Sequence, residues 1–191
     1  MSLRVWVFPE DATYNGSILR PLIARLLEEC GRPNAKVEFP SQSPPFGEAA
    51  AKRKIRERMS LPGGKNHLWI LILDQDGKDR HDEFEVLLAE AKNNGIALAC
   101  CAAKPELEAW LLAGHTQNLD VPWPEIRSHS RLKEEVFEPF LKKFGDESLS
   151  DGGRARLMQE TLRQYRGLIA RCPEIKLLQE DLLALIRSQT P

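Results

Sequence analysis

The chain has 191 residues, of which 42% are hydrophobic and 29% are charged, enough for one compact domain with a small helical extension. Its 27 lysine and arginine residues balance its 28 aspartate and glutamate residues, and the formal net charge of −1 excludes a strong overall field toward a polyanionic partner. The longest apolar runs are far shorter than the roughly 18 residues of a membrane helix, and the first residues open a strand-like run instead of a signal peptide. We therefore expect a soluble, cytoplasmic protein.

The cysteine pattern indicates a reduced chain. The four cysteines are Cys30, Cys100, Cys101 and Cys172. They show neither the C-x-x-C spacing nor the neighbouring histidines of a zinc site, so we expect small buried hydrophobes instead of metal ligands.

Strand and helix patterns alternate over the first 113 residues. Strand-like runs are expected at residues 3–9, 35–39, 67–73 and 96–102. Helical periodicity is expected between them, at residues 17–30, 48–59 and 82–92. Because strands joined through helices need crossover connections, this alternation predicts an α/β fold with a four-stranded, largely parallel sheet flanked by helices.

Local signals predict where several of these elements begin and end. Ser17 is the expected N-cap of the first helix, which places Pro21 in the first turn. Residues 40–47 are expected to form a loop, because they are rich in proline. Pro105 is expected at the first position of a short helix over residues 106–113.

The secondary-structure pattern of the sequence changes after Gly114. Residues 121–124, VPWP, indicate a stiff linker, and no convincing strand follows. Helical patterns continue at residues 131–144, 154–171 and 174–187. We therefore predict an α/β domain over residues 1–115 and a helical C-terminal extension over residues 116–191 that packs on it.

Acidic residues follow three of the predicted strands. Glu10 follows the first strand, Asp74 and Asp76 follow the third, and Glu106 and Glu108 come shortly after the fourth. Ligands of parallel sheets bind beyond the carboxyl ends of the strands, where these acids would meet. Alternate residues of a strand point the same way, so both aspartates can face one ion. Crowded carboxylates repel one another unless a cation lies between them, and hard oxygen ligands suit Mg²⁺ or Mn²⁺.

Two of these positions leave alternatives open. Asp11 is a second candidate beside Glu10, because side chains alternate across a strand and either one can face inward. Within one helix Glu106 and Glu108 would point about 200° apart, so at most one of them is expected at the metal edge.

A strand ending in Glu10, followed by a hydrophobic strand ending in Asp74-Gln75-Asp76, resembles the Toprim domain, the metal-binding module of topoisomerases, primases and OLD-family nucleases. Residues 103–112, AKPELEAWLL, are similar to the segment Pro-x-Phe-Glu-x-Trp-Leu-Leu of RloB-like proteins, with leucine in place of the phenylalanine. The sequence ARCPE before the last leucine-rich helix also resembles the end of that small family.

The resemblance implies a Toprim-like, Rossmann-like sheet and a set of site roles. It implies that Asp74 and Asp76 hold Mg²⁺ (or Mn²⁺) and that Glu10 ligates a metal or acts as a general base. Glu108 would be a further ligand or would orient one. The family further implies a nuclease acting on DNA or RNA in a prokaryotic defence or toxin-like system, with an ABC-type or AAA-type ATPase as partner.

Two other functions stay open. Toprim domains usually continue the first glutamate with glycine and a further acid, whereas Asp11 and Ala12 follow Glu10 here. This difference favours a non-catalytic module that docks an ATPase or senses a nucleotide. A small-molecule phosphohydrolase would use the same acids without any nucleic-acid surface.

The densest basic cluster lies on the predicted second helix and consists of Lys52, Arg53, Lys54, Arg56 and Arg58. Such a stripe can contact the phosphates of a nucleic acid, although Glu48 and Glu57 dilute it and a solvated helix face has the same composition. Residues 62–65, PGGK, lack the full phosphate-loop pattern and precede a strand, so we expect no nucleotide site there.

Overall fold

The computed structural model describes residues 3–40, 47–61 and 67–189. The proline-rich stretch 41–46 of the predicted loop and the PGGK segment lie outside these ranges. The elements of the first half are β1 (Arg4–Pro9), α1 (Ala12–Glu29), β2 (Lys36–Glu38), α2 (Glu48–Met59), β3 (Leu68–Asp74), α3 (His81–Asn93) and β4 (Ala97–Ala103).

The second half is helical. Its elements are α4 (Glu108–Leu112), a 3-10 turn (Thr116–Asn118), α5 (Trp123–Ile126), a π-helical turn (Lys133–Phe137) that continues into α6 (Glu138–Phe144), α7 (Arg154–Leu162), α8 (Tyr165–Arg171) and α9 (Pro173–Ser188). Among the described residues no strand follows β4, as the sequence predicts.

The four strands form one parallel sheet in the order β2-β1-β3-β4, which confirms the predicted α/β, Rossmann-like architecture. Val5 pairs with Leu68 and Leu68 pairs with Ala97, so β1, β3 and β4 begin in register. The chain runs from β1 outward to β2 and then returns to the other side of β1 to form β3. The strand order therefore reverses between β1 and β3, and ligands of such sheets bind at the carboxyl ends beside this point.

One face of the sheet packs on α2 and α3. Phe8, Trp69 and Leu71 point to this side and meet Ile55 of α2 and Leu87 of α3. All five side chains are almost completely removed from solvent. Burying each of them stabilises the fold by about 1.5–3 kcal/mol before entropic costs.

The opposite face packs on α1 and the C-terminal helices. Val7, Ile70 and Ile72 belong to a hydrophobic cluster that also contains side chains of α1, α4, α7 and α9. Helix α9 lies against β4, and α7 lies against α1. The C-terminal helices and the sheet therefore share one apolar core, while the predicted boundary at residue 115 stays a prediction.

Helix α1 begins five residues earlier than predicted. Asp11 is its N-cap, and the Asp11 carboxylate accepts hydrogen bonds from the backbone amides of Thr13, at 2.7 Å, and Tyr14, at 3.4 Å. Ser17 is therefore not the N-cap, and Pro21 lies inside the helix instead of in its first turn. Periodicity missed the first turn because its residues, ATYNG, include no large aliphatic side chain, and the Asp11 cap marks the start of the helix instead.

Two further local predictions were wrong. Helix α4 begins at Glu108, so Pro105 precedes it by three residues and is not its first residue. In the predicted linker, Pro122 is the N-cap of α5, and Trp123 begins the helix. The fixed backbone angle of a proline suits the start of a helix as well as a stiff linker, so composition alone does not separate the two.

The cysteine thiols are free. Cys30, Cys101 and Cys172 are buried and Cys100 is half-buried, as expected for small hydrophobic residues. Burial raises the pKa of each thiol, to about 12 for Cys100 and Cys172, so none of them is activated as a nucleophile. In the described part of the chain, no helix combines the length and the apolar character needed to cross a membrane.

The close approach of α4 and α7 yields a stability prediction. A Cβ atom at Gly114 would lie 2.5 Å from the Cα atom of Thr161, whose hydroxyl donates to the carbonyl of Leu111 at 2.7 Å. Gly114→Ala should therefore lower the free energy of unfolding by about 1–3 kcal/mol, measured by urea denaturation. The matched control is Gly16→Ala in α1, where a Cβ meets nothing within 4 Å and alanine should raise stability by about 0.5–1 kcal/mol. Equal effects of the two substitutions would contradict this packing.

Candidate metal and active site

The candidate site lies where the strand order reverses. Asp74 is the last residue of β3, and Glu10 directly follows β1. The Glu10 carboxylate accepts a hydrogen bond from the backbone amide of Asp74 at 2.9 Å, so the two strand ends are joined. The Glu10 carbonyl accepts a hydrogen bond from the amide of Gly47 at 2.9 Å, which ties the approach to α2 to the same place.

The loop after β3 is fastened to the loop after β4. The Asp74 carboxylate accepts a hydrogen bond from the backbone amide of Leu107 at 2.8 Å. The amides of Gln75 and Asp76 lie 3.1 Å and 3.3 Å from the carbonyl of Pro105. Asp76 has a φ of 49°, in the left-handed region that aspartate tolerates better than most residues, and this turn re-aims its side chain.

These loops enclose an acidic cavity of about 260 Å³. The acids that line it come from the segments after β1, β3 and β4 and from the C-terminal half. They are Glu10, Asp11, Asp74, Asp76, Glu106, Glu108 and Glu134. The structure thus brings the four predicted site residues Glu10, Asp74, Asp76 and Glu108 to one cavity. Asp11 lines the cavity as well, although its carboxylate also caps α1.

The expectation that only one of Glu106 and Glu108 faces this edge was wrong. Glu106 lies in the turn before α4, so the helical angle between the two residues does not apply, and both line the cavity. Glu108 is the first residue of α4 and is only 5% exposed.

Crowding shifts the protonation of these acids. Burial, with the charges of Glu108 and Glu10, raises the pKa of Asp74 to about 8. Burial and the charge of Glu108 raise the pKa of Glu106 to about 7, and burial also raises the pKa values of Glu10 and Glu108. Asp74 and Glu106 therefore hold protons near neutral pH unless a cation compensates their charge.

Arg80 is a site residue that the sequence analysis missed. Its side chain is 2% exposed, and its Nε atom donates to the carbonyl of Asp74 at 2.6 Å. Its Nη1 atom lies 3.1 Å from a Glu48 oxygen and 3.0 Å from a Glu83 oxygen. The guanidinium is therefore a buried cation behind the acidic cavity.

The second terminal nitrogen of Arg80 points between the two central acids. Its Nη2 atom lies 3.8 Å from Glu10 and 3.9 Å from Asp76, and within the described ranges it makes no hydrogen bond. Arg80 follows Asp76 by four residues, in a segment whose sequence indicates only a turn. No motif or spacing predicts a site role for an arginine there. Only the folded loop places it behind the acids.

The cavity residues fit a hard divalent cation by their chemistry. Carboxylate oxygens are the ligands that Mg²⁺ and Mn²⁺ prefer. Within residues 3–40, 47–61 and 67–189, no three His, Cys, Asp or Glu side chains already stand close enough together to hold an ion. The fit is therefore one of ligand chemistry, and the side chain of Asp76, which is 46% exposed, is not fixed by burial.

Two cations of the C-terminal half lie near the acids. Lys133 lines the acidic cavity, and the charges of Lys133 and Arg154 act to lower the pKa of Glu108 against the larger effect of burial. The guanidinium carbon of Arg154 lies 5.3 Å from the ring centre of Tyr14, which is half exposed. No strand-end argument points to these residues, because they come from a separate helical segment.

The basic cluster on α2 is largely neutralised by neighbouring acids. Lys52 forms ion pairs with Glu48 and Glu83, Arg53 and Lys54 lie near Glu57, and Arg56 donates two hydrogen bonds to Glu90. Arg58 lies 3.9 Å from the ring centre of Trp6. Contact of Lys52, Arg53, Lys54 and Arg56 with nucleic acid stays a prediction, and those cations would have to exchange their present partners.

Trp110 belongs to the hydrophobic core. It is fully buried, and its Nε1 atom donates to the Glu174 carboxylate at 2.8 Å.

No protein-family model, no curated protein and no solved structure gives a significant match to this chain. The resemblance to Toprim and RloB-like proteins is therefore a hypothesis that rests on the residues quoted for it.

The raised pKa of Asp74 yields a pH-dependence prediction. Between its ordinary pKa of 3.8 and about 8, the folded protein holds a proton that the unfolded chain releases, so stability falls as the pH rises through this window. In EDTA, wild type should lose on the order of 1–3 kcal/mol of unfolding free energy through this group between pH 5 and pH 8. Asp74→Asn keeps the acceptor oxygen for Leu107 but cannot ionise, so it should lose less.

The matched control is Asp120→Asn, at an exposed acid outside the cavity, which should follow the wild-type pH dependence. Urea denaturation at several pH values provides the measurement. The same pH slope in Asp74→Asn and wild type would show that Asp74 titrates normally in the folded protein.

Proposed function

We propose that the protein is a Mg²⁺-dependent phosphodiester hydrolase, most simply a nuclease. The observation that carries this proposal is the convergence of carboxylates from three parallel strand ends on one cavity at the strand-order reversal. Such a set of acids binds divalent cations, and divalent cations between carboxylates are a common device for cleaving phosphodiesters.

Each acid has a role that its position supports. Asp74, Asp76 and Glu10 would hold the cation, which when bound supplies charge stabilisation to a phosphoryl oxygen. Glu106, whose pKa is raised to about 7 by burial and by Glu108, can hold or release a proton near neutral pH. Glu108 is buried at the start of α4 and is placed to orient a neighbouring ligand.

Arg80 contributes by positioning. Its guanidinium fixes the carbonyl of Asp74 and lies close to both Glu10 and Asp76, so it sets the spacing of the two strand ends. Its positive charge also lowers the cost of bringing carboxylates together before a divalent cation arrives.

The wider biological setting belongs to the same proposal. The resemblance to RloB-like proteins supports an effector of a prokaryotic defence or toxin-like system that acts in the cytoplasm on DNA or RNA. The same resemblance supports an ABC-type or AAA-type ATPase as its partner. Co-expression with such an ATPase, followed by co-purification, tests the partner directly.

A non-catalytic binding module is the second candidate. One observation favours it, namely the buried Arg80 cation beside the acids, which already supplies part of the positive charge that a metal ion would bring. Calorimetric titration with Mg²⁺ or Mn²⁺ separates the two functions. A saturable site that Asp74→Asn abolishes supports the hydrolase, whereas the binding module needs no such site.

The decisive variant for the hydrolase is Asp76→Asn. Asparagine tolerates the left-handed backbone at this position but removes a charged ligand, so folding should persist while cleavage falls by at least about 100-fold. Plasmid DNA, single-stranded DNA and total RNA should be incubated with Mg²⁺, Mn²⁺ or EDTA. Asp120→Asn serves as the matched control and should retain full activity.

Cleavage that persists in EDTA, or that Asp76→Asn leaves intact, would refute this assignment. Circular dichroism of Asp76→Asn checks that any loss of activity does not come from unfolding.

A further inference from the structure

A second cavity of about 480 Å³ adjoins the acidic cavity. The two share Asp76 and Glu106, so a ligand in one reaches the edge of the other. The remaining wall comes from the turn after β3, from the loop after β4 and from residues 127–130, which follow α5. Cavities of this volume are typical of small-molecule and nucleotide sites.

A half-buried ion pair between Arg127 and Glu174 fixes the wall of this second cavity. Two nitrogens of Arg127 donate to the two oxygens of Glu174 at 2.8 Å each, and both side chains are 15% exposed. Arg127 also donates to the carbonyl of Lys104, and Glu174 accepts from Trp110. Segments from β4, α4, α5 and α9 are thus clamped together, and the cavity is preformed, which reduces the cost of ordering it when a ligand binds.

The wall carries the groups that a nucleoside phosphate needs. Gln75 offers an amide that can both donate to and accept from a base edge, and Ser130 offers a hydroxyl. Gly77 and Pro105 also line the cavity, and the space next to Gly77 is open, since a Cβ atom there would meet nothing within 4 Å. Lys104 is exposed at the rim and supplies the positive charge that a phosphate requires next to the acids.

We propose that this second cavity binds one nucleoside phosphate unit of the substrate, unpaired with any complementary strand. The inference rests on the proposed function and deepens it, because the adjoining phosphodiester then lies at the acidic cavity. A single splayed-out nucleotide is recognised by its base edge and its phosphate, and these are the groups that Gln75 and Lys104 can contact.

The test is calorimetric titration with the four nucleoside 5′-monophosphates and with inorganic phosphate, all in EDTA. We expect saturable binding of at least one monophosphate, weakened about fivefold to tenfold by Lys104→Ala and by Gln75→Ala. The matched control is Lys92→Ala, which removes an exposed lysine at the end of α3 and should bind as wild type. All three positions lie outside the buried core, so the variants should stay folded, and circular dichroism checks this.

Equal affinity for phosphate and for every monophosphate would overturn the inference, as would binding that neither Lys104→Ala nor Gln75→Ala weakens. A short oligonucleotide in the same titration identifies the source of the nucleotide, because a strand should bind more tightly than a monophosphate if a nucleic acid is the ligand.

Hydrolysis of bis(p-nitrophenyl) phosphate with Mn²⁺ reports on the acids alone. Hydrolysis without nucleotide binding refutes this inference only, and nucleotide binding without hydrolysis refutes the proposed hydrolase only.

Discussion

The hydrogen bond from the Asp74 amide to the Glu10 carboxylate joins the ends of the two central strands, β1 and β3, at the point where the strand order reverses. The acidic loops depend on this contact. It holds one carboxylate against the end of β3, and the carboxylate of Asp74 in turn accepts the amide of Leu107 from the loop after β4. Three strand ends are therefore linked through acid side chains instead of through backbone pairing alone. Removing either acid changes the shape of the edge as well as its charge.

Electrostatic balance at this edge is the second constraint. Burial is the largest cause of the raised pKa values of Asp74, Glu106, Glu10 and Glu108, and neighbouring carboxylates add to it. Seven acids and one lysine line the cavity, so the carboxylates there outnumber the cations. Arg80 compensates part of this charge from behind the cavity. Its Nη2 atom approaches two acids without a hydrogen bond, so the compensation is incomplete. A site with surplus negative charge and exposed carboxylate oxygens on its open side has a physical reason to bind a divalent cation.

The sequence predicted the parallel sheet and the convergence of its acids because both follow from simple periodicities. A run such as β3, apolar on both faces, belongs in the middle of a covered sheet, and residues just beyond parallel strands must share one edge. The start of α1 was not predictable from periodicity, since the cap at Asp11 replaces an apolar signal. The prediction that at most one of Glu106 and Glu108 faces the cavity was wrong because Glu106 lies in the turn before α4, where helical geometry does not apply. Arg80 and Lys133 were missed because their positions depend on loop folding and on packing between segments, which no short motif encodes.

The C-terminal helical segment contributes residues to the site and holds other site residues in place. Trp110 needs a partner for its buried indole nitrogen, and Glu174 at the start of α9 provides one while it also neutralises Arg127. Trp110 lies two residues after Glu108 in α4, so its hydrogen bond to α9, together with the packing of α4 on α7, holds Glu108 in the acidic cavity. Residues 103–112 and the ARCPE segment are thus in direct contact, because the Glu174 carboxylate accepts hydrogen bonds from the Trp110 side chain at 2.8 Å and from the Lys104 amide at 3.4 Å. Glu174 therefore holds two parts of the molecule in place at once, namely Glu108 through Trp110 and the wall of the second cavity through Arg127.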